Sequence, residues 1–194
     1  MNWIDYLLTA LITLPILATF VLGIFLARNG KHAMGRPTIQ PFLFYTGKFL
    51  LFGVWALFGV ISIFPEYRNA IPFLIQLEIP DVQKLLAAVL LIPANLIIVP
   101  AYLKMGLITH IGLPEGKHEL RTGGIYKFSR NPMYASFIFL NLASFLFIPS
   151  ILLLGIMVYG MVVHHFIILG EEAYLENEFG DEYLVYKKNV PRYF

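Results

Sequence analysis

Apolar residues fall into four long blocks, 3–27, 42–64, 82–103 and 132–169, with polar residues collected between and after them. An α-helix rises about 1.5 Å per residue, so roughly 20 residues cross a hydrocarbon core ~30 Å thick. The first three blocks are each predicted to form one transmembrane helix. The fourth is too long for a single span and is interrupted at Ile148-Pro149-Ser150, where proline disfavours helix in the residue before it. It is predicted to form two helices, about 132–148 and 150–169, joined as a tight hairpin. The expected fold is therefore all-α and polytopic, with about five transmembrane helices in a single integral membrane domain spanning residues 1–194.

Polar residues inside the blocks qualify this picture. Lys48 stands near one end of the second span and is expected to snorkel toward headgroups. The third span carries Pro93, Asn95 and Pro100, which free backbone carbonyls and predict a kink whose groups neighbouring helices satisfy. Beyond the last block, Leu175, Phe179, Tyr183, Tyr186 and Val190 recur at helical spacing. They predict a C-terminal amphipathic helix lying on the membrane face or on the body. Gly180-Asp181 is expected to split it, with glycine as a C-cap and aspartate as the next N-cap.

Composition agrees with the pattern. The 194 residues are 58% hydrophobic and 13% charged, where soluble domains carry roughly 25% charge, and the mean hydropathy is +0.72. Thirty aromatic residues exclude disorder, and the absence of cysteine removes disulfides, thiol nucleophiles and Cys-ligated zinc. No metal site is expected, because His164 and His165 are adjacent, point to different sides and have no further ligand to complete a set. The net charge of +2 says little about partners, and no nucleic acid is expected.

The distribution of charge says more than its total. Eleven of the 14 Lys and Arg residues fall in segments 28–41, 104–131 and 170–194, and cytoplasmic segments are the ones enriched in these residues. The N-terminus is therefore expected outside, with loop 110–131 and tail 170–194 cytoplasmic. A bacterial inner membrane and the endoplasmic reticulum fit equally well. Basic residues follow the first block instead of preceding it, the reverse of a signal peptide.

Two polar segments on that side hold the candidate chemistry. The first runs from Gly116 to Tyr134, with Gly123-Gly124 suited to a tight turn, Asn131 to an N-cap and Pro132 to the first turn of the fourth span. The start of that span, with Arg130 beside it, is an anion-favouring spot. The second begins with Glu171-Glu172 at the end of the fifth span. Together they predict a boundary pocket of cations, paired acids and tyrosines. Read from composition alone, the same residues also fit headgroup anchors and a solubilised helix end.

The order of His118-Glu119-Leu120, Gly124-Ile125-Tyr126, Arg130-Asn131-Pro132-Met133-Tyr134, a membrane hairpin, Glu171-Glu172 and Phe179-Gly-Asp-Glu-Tyr183 resembles the isoprenylcysteine carboxyl methyltransferase and phospholipid methyltransferase superfamily. The resemblance covers roughly residues 110–194. It implies a membrane enzyme that binds S-adenosylmethionine in a cytoplasm-facing pocket, releases S-adenosylhomocysteine, and methylates a lipid-borne or small hydrophobic acceptor arriving from the bilayer. It implies donor binding by His118, Glu119, Leu120, Arg121, Tyr126, Asn131, Pro132, Met133, Tyr134 and Glu171. Two positions depart from the isoprenylcysteine pattern. Asn131 stands where those enzymes usually have histidine, and Ile167 stands where they carry an arginine that holds the acceptor. Both departures point toward a phospholipid-type or generic lipid acceptor rather than prenylcysteine.

Methyl transfer from a sulfonium is an in-line displacement that needs alignment more than a nucleophilic side chain, and alignment can contribute ~7–11 kcal/mol. On this reading Glu171 takes the ribose hydroxyls or amino group, Asn131 and the start of the fourth span take the methionine carboxylate, and Tyr126 and Tyr134 shape the sulfonium pocket. An amine acceptor needs a base, for which Glu172, His164 and His165 are candidates, with Arg130 on the acceptor side. Kinked span three with Gly155 and Gly160 offers a lateral gap. Two other readings stay open on the residues: a sterol-reductase-like membrane enzyme using NADPH, and a non-enzymatic membrane scaffold.

Overall fold

The computed structural model describes residues 2–29, 36–75, 78–105 and 119–194. Helices α1 (Trp3–Arg28), α2 (Pro41–Ile63), α4 (Asp81–Met105), α5 (Pro132–Phe147) and α6 (Ile151–Phe179) correspond to the five predicted spans. Two short helices, α3 (Tyr67–Ala70) and α7 (Asp181–Asn189), lie outside them. Among the described residues four helices are long and apolar enough to cross a membrane, and α5 is a shorter apolar helix of 16 residues. The fold is an all-α polytopic membrane fold, and large apolar side chains such as Phe20, Val82, Leu96 and Ile151 face outward, as lipid contact requires.

Hydrogen bonds fix how the helices are ordered end to end. At one end, Asn2 caps α1 in a capping box with Asp5 and also donates to Asp81 at 3.0 Å, while Lys84 pairs with Asp5 at 2.7 Å. The starts of α1 and α4 are thus tied together. At the same end, Arg68 donates to the Phe147 carbonyl and Ser150 to the Phe73 carbonyl. The opposite end gathers the C-terminus of α6, the start of α5 and Lys104 of α4, which lies against Gly123. The site is at this second end.

Four expectations change in detail. The turn at Ile148-Pro149-Ser150 forms, with Ser150 capping the Leu153 amide, but α5 then packs mainly along α4 and α6 along α2. A groove lined by Ile138, Leu142, Met157 and Val158 opens between the two helices of the hairpin. The partner of α6 is set by close approach: a Cβ on Gly47 would come within 2.4 Å of Val163, and one on Gly160 within 3.1 Å of Leu51. Small residues let membrane helices approach this closely. Gly160 therefore seals a contact where a lateral gap was expected, and Gly155 has open space around it.

Helix α6 also runs ten residues past the predicted span, through Glu171 and Glu172 to Phe179. The amphipathic segment is the end of α6 followed by α7, split at Gly180, whose φ of +51° is costly for any other residue. Gly180 caps α6 through its amide bond to Glu176, as expected, but it is also the N-cap of α7, and Asp181 is the first helical residue instead. Tyr183 and Tyr186 are the buried residues of α7.

Helix α4 keeps its helical run through Pro93 and Pro100, and Asn95 answers a vacancy in its neighbour. Pro15 of α1 has no amide hydrogen, so the Leu11 carbonyl loses its intrahelical donor. The Asn95 side chain donates to Leu11 at 2.9 Å and to the Leu91 carbonyl at 2.8 Å. Lipid offers that carbonyl no other partner. Asn95→Leu should therefore cost about 1–2 kcal/mol, read from unfolding midpoints in detergent. In a Pro15→Ala background, where an amide again serves Leu11, the same substitution should cost less; equal costs in the two backgrounds would contradict the pairing.

Candidate active site

The site is organised around two adjacent glutamates. Successive residues on a helix are about 100° apart, so Glu171 and Glu172 address different partners. Glu172 is 3% exposed. One of its oxygens accepts from Arg130 at 3.1 Å and from the Asn131 amide at 3.0 Å, and the other accepts from Arg192 at 2.9 Å. Arg130 also donates to the carbonyls of Lys187 and Val190, and its own amide donates to Pro191. This cluster fastens the start of α5 and the C-terminal residues onto α6.

Glu171 turns the other way. Its carboxylate accepts from the Tyr134 hydroxyl at 2.8 Å, joining the end of α6 to the first turn of α5. Gly170 precedes it because Thr38 crosses there: a Cβ at position 170 would sit 2.6 Å from Thr38. The Tyr134 ring lies 5.6 Å from the His164 ring and 5.6 Å from Phe137. His164 contacts the Gly160 carbonyl through Nδ1 at 2.6 Å. A carbonyl only accepts, so Nδ1 carries the hydrogen and a neutral ring keeps its lone pair on Nε2.

These rings border a cavity of about 280 Å³ lined by Lys48, Trp55, Tyr102, Tyr134, Phe137 and His164, among others. The Lys48 ammonium lies 4.8 Å from the Phe44 ring and 5.5 Å from the Tyr134 ring. Its side chain thus turns to the cavity, which corrects the expectation that it snorkels to headgroups. Reading the sequence missed this residue as a site candidate. The signal was present, since an ionisable residue inside a span marks a functional position by default.

The other candidates distribute as follows. Tyr126 is buried in a 3-10 turn, Gly124–Lys127, that starts at Gly124 with φ +64°. The Tyr186 hydroxyl holds that turn through the Tyr126 carbonyl at 2.7 Å. Burial pushes the Tyr126 phenol up, and Tyr186 and Glu171 reinforce the shift, so it stays neutral and donating. Glu119 and Arg121 stand 4.0 Å apart, and the Arg121 Nε is buried without a hydrogen-bond partner among the described residues. No hydrogen bond among the described residues joins Glu119, Leu120 or Arg121 to Tyr134 or Glu171. His118 lies outside the described residues. Pro132 and Met133 open α5, and Met133 also lines the cavity.

Asn131 and Glu172 meet each other in this structure. Asn131 stands at the N-cap position of α5 as expected, but its side chain makes no cap hydrogen bond. Both amide hydrogens of Asn131 are spent on Glu172 and the Arg192 carbonyl. Glu172, a candidate base, is held as a carboxylate by two guanidinium groups, and Arg130 is committed to it. His165 faces away from His164, with Nδ1 2.7 Å from the Tyr193 hydroxyl.

A family model described as "Phospholipid methyltransferase" matches residues 82–182, just over half of the chain. The chain belongs to this family. It is a membrane methyltransferase of the phospholipid and isoprenylcysteine type, which decides the reaction class against the reductase and scaffold readings. The chain is also similar to an uncharacterized protein of Haemophilus influenzae (strain ATCC 51907 / DSM 11121 / KW20 / Rd), 42% identical over 62 residues that make up 31% of this chain and 98% of that protein. The family match takes in Tyr126, Asn131, Tyr134, Glu171 and Glu172, and leaves α1 and α2 outside it.

Burial ranks the partners of Glu172. Arg130 has a side chain 8% exposed, against 32% for Arg192. Removing one member of a buried ion cluster strands the others, at about 3–5 kcal/mol. Glu172→Gln and Arg130→Ala should each lower the unfolding midpoint by that order, and Arg192→Ala by distinctly less. Equal losses for the two arginines would show that burial does not set the strength of this cluster.

Proposed function

We propose that this enzyme transfers a methyl group from S-adenosylmethionine to a lipid-borne acceptor at the membrane boundary. The observation that carries the reading is the Tyr134–Glu171 hydrogen bond at 2.8 Å on the rim of the cavity lined by Lys48 and His164. A polar donor site and an apolar acceptor site meet there. The side chains present fit the donor's chemistry. A carboxylate at Glu171 suits hydroxyls or an ammonium, the unpartnered Nε of Arg121 suits a carboxylate, and the faces of Tyr126 and Tyr134 suit a sulfonium. The uncapped start of α5 leaves the amides of Met133 and Tyr134 as further anion donors. The bound donor would supply the electrophilic methyl carbon.

The protein's own contribution is alignment and exclusion of water. Tyr134 holds the Glu171 carboxylate in one orientation, and the Glu172 cluster fixes the turn of α6 on which Glu171 stands. An amine acceptor would also lose a proton, and His164, which lines the cavity with Tyr134, is a candidate base. We also propose that this end of the bundle is cytoplasmic and the N-terminus outside, because the basic residues collect at this end. The acceptor then reaches the site from the bilayer.

Donor binding tests the reading directly. Calorimetry with S-adenosylhomocysteine should give saturable binding to the purified protein, and NADPH should give none. Glu171→Gln should weaken that binding roughly ten- to hundredfold, the value of a charge-assisted hydrogen bond of about 1.5–3 kcal/mol. Tyr134→Phe should cost less than Tyr134→Ala if the ring face contributes more than the hydroxyl. Unchanged affinity in Glu171→Gln would remove that residue from the donor site.

A further inference from the structure

The cavity holds a positive charge that the donor site does not use. Lys48 is seven residues into α2, about 10 Å below the start of the helix. Among the described residues no carboxylate comes within 4.0 Å of it. Glu171 attracts it from beyond that distance, but an oxygen of Glu171 is engaged by Tyr134. The ammonium lies over two aromatic faces, those of Phe44 and Tyr134. Two ring faces compensate a cation in a mostly apolar cavity only in part. An anion entering the cavity would complete the compensation, and an ammonium would be repelled.

The shape of the cavity says what carries the anion. Its walls are otherwise mostly apolar, and Thr19, Phe20, Gly23, Phe49 and Phe52 bring it to the cleft between α1 and α2. Phe20 and Phe49 there are 57% and 56% exposed, on the surface that faces lipid. The Phe20 and Phe52 rings meet edge to face at 6.0 Å, and a Cβ at Gly23 would meet nothing within 4 Å. An apolar chain can therefore lie in this cleft while its head reaches Lys48.

We propose that Lys48 is the acceptor-recognition residue, and that the cavity takes a single-chain or lipid-borne amphiphile whose anionic group, a carboxylate or a phosphate, is held by this ammonium. The inference deepens the methyltransferase reading by naming the acceptor's charge, and it rests on that reading only for the word acceptor. Binding itself needs no methyl donor. The two ideas can therefore fail separately.

Trp55 provides the readout, since it lines the cavity and Trp3 is the other of the two tryptophans. In a Trp3→Phe protein in micelles of a neutral detergent, Trp55 fluorescence is titrated with amphiphiles carrying a 9,10-dibromostearyl or dibromostearoyl chain. The heads compared are a carboxylate, a lysophosphatidate, an alcohol and an amine. At least one anionic probe should reach half-quenching at a tenfold or lower mole fraction than the alcohol and the amine. Preference for the carboxylate assigns an acid acceptor, and preference for the phosphate assigns a phospholipid headgroup. Lys48→Met should bring the anionic probe to the level of the alcohol, Lys48→Arg should keep the preference, and unchanged quenching by the alcohol shows that the cavity is intact. Quenching that ignores the head group, or a preference that survives Lys48→Met, overturns the proposal. Affinity for S-adenosylhomocysteine, measured separately, reports on the donor site alone.

Discussion

The carboxylate of Glu172 is the point on which the site end of the molecule turns. It is buried, and a buried carboxylate persists as an ion only where cations and hydrogen-bond donors surround it. Arg130, Asn131 and Arg192 provide them from two other parts of the chain. The start of α5 and the C-terminal residues must therefore come to α6. Because Arg130 also bonds the carbonyls of Lys187 and Val190, the tail is drawn across the helix ends, where Tyr186 holds the turn containing Tyr126. One ion thus orders three segments, and the orientation of Glu171 follows from it. The neighbouring position on α6 is left to face Tyr134.

Away from this end a different constraint governs. In hydrocarbon a free carbonyl has no water to turn to, so an interior proline creates a demand for a donor from a neighbouring helix. Pro15 and Asn95 form such a pair across α1 and α4, and Asn141 accepts from the Trp55 indole between α2 and α5. Polar side chains in the spans act here as registration devices between helices. Among the described residues Lys48 answers no such demand, which is why its position calls for a functional explanation.

The spans, the break at Gly180 and the pairing of acids with basic segments were legible in the sequence, because hydrophobic run length, glycine geometry and charge distribution are local properties. The continuation of α6 to Phe179 was not. A polar turn after an apolar run reads as the end of a span, whereas Glu171 and Glu172 are satisfied by tertiary partners and let the helix proceed. The side chain of Asn131 was unpredictable for a related reason. Asparagine before a helix-starting proline is an N-cap by pattern, and only the approach of Glu172 and Arg192 from elsewhere in the chain redirects its amide. Lys48 could have been singled out by depth alone, but its cavity is made by residues of five helices and no periodicity reports that.

The family match begins at residue 82 and holds the proposed donor residues from Tyr126 to Glu171. Lys48, Thr19, Phe20, Phe49 and Trp55 of the cavity all precede it. On the proposed reading this division has a chemical reason. The methyl donor is one molecule wherever it is used, so the segments that hold it admit few solutions: an acid, aromatic faces and a fixed turn. Acceptors differ in charge and shape, and α1 and α2 can vary to suit them as long as α2 keeps its close contact with α6 at Gly47 and Gly160. A cation in α2 then specifies the acceptor from the wall that the cavity shares with the donor site, where the Tyr134 ring meets Lys48 on its face and Glu171 at its hydroxyl.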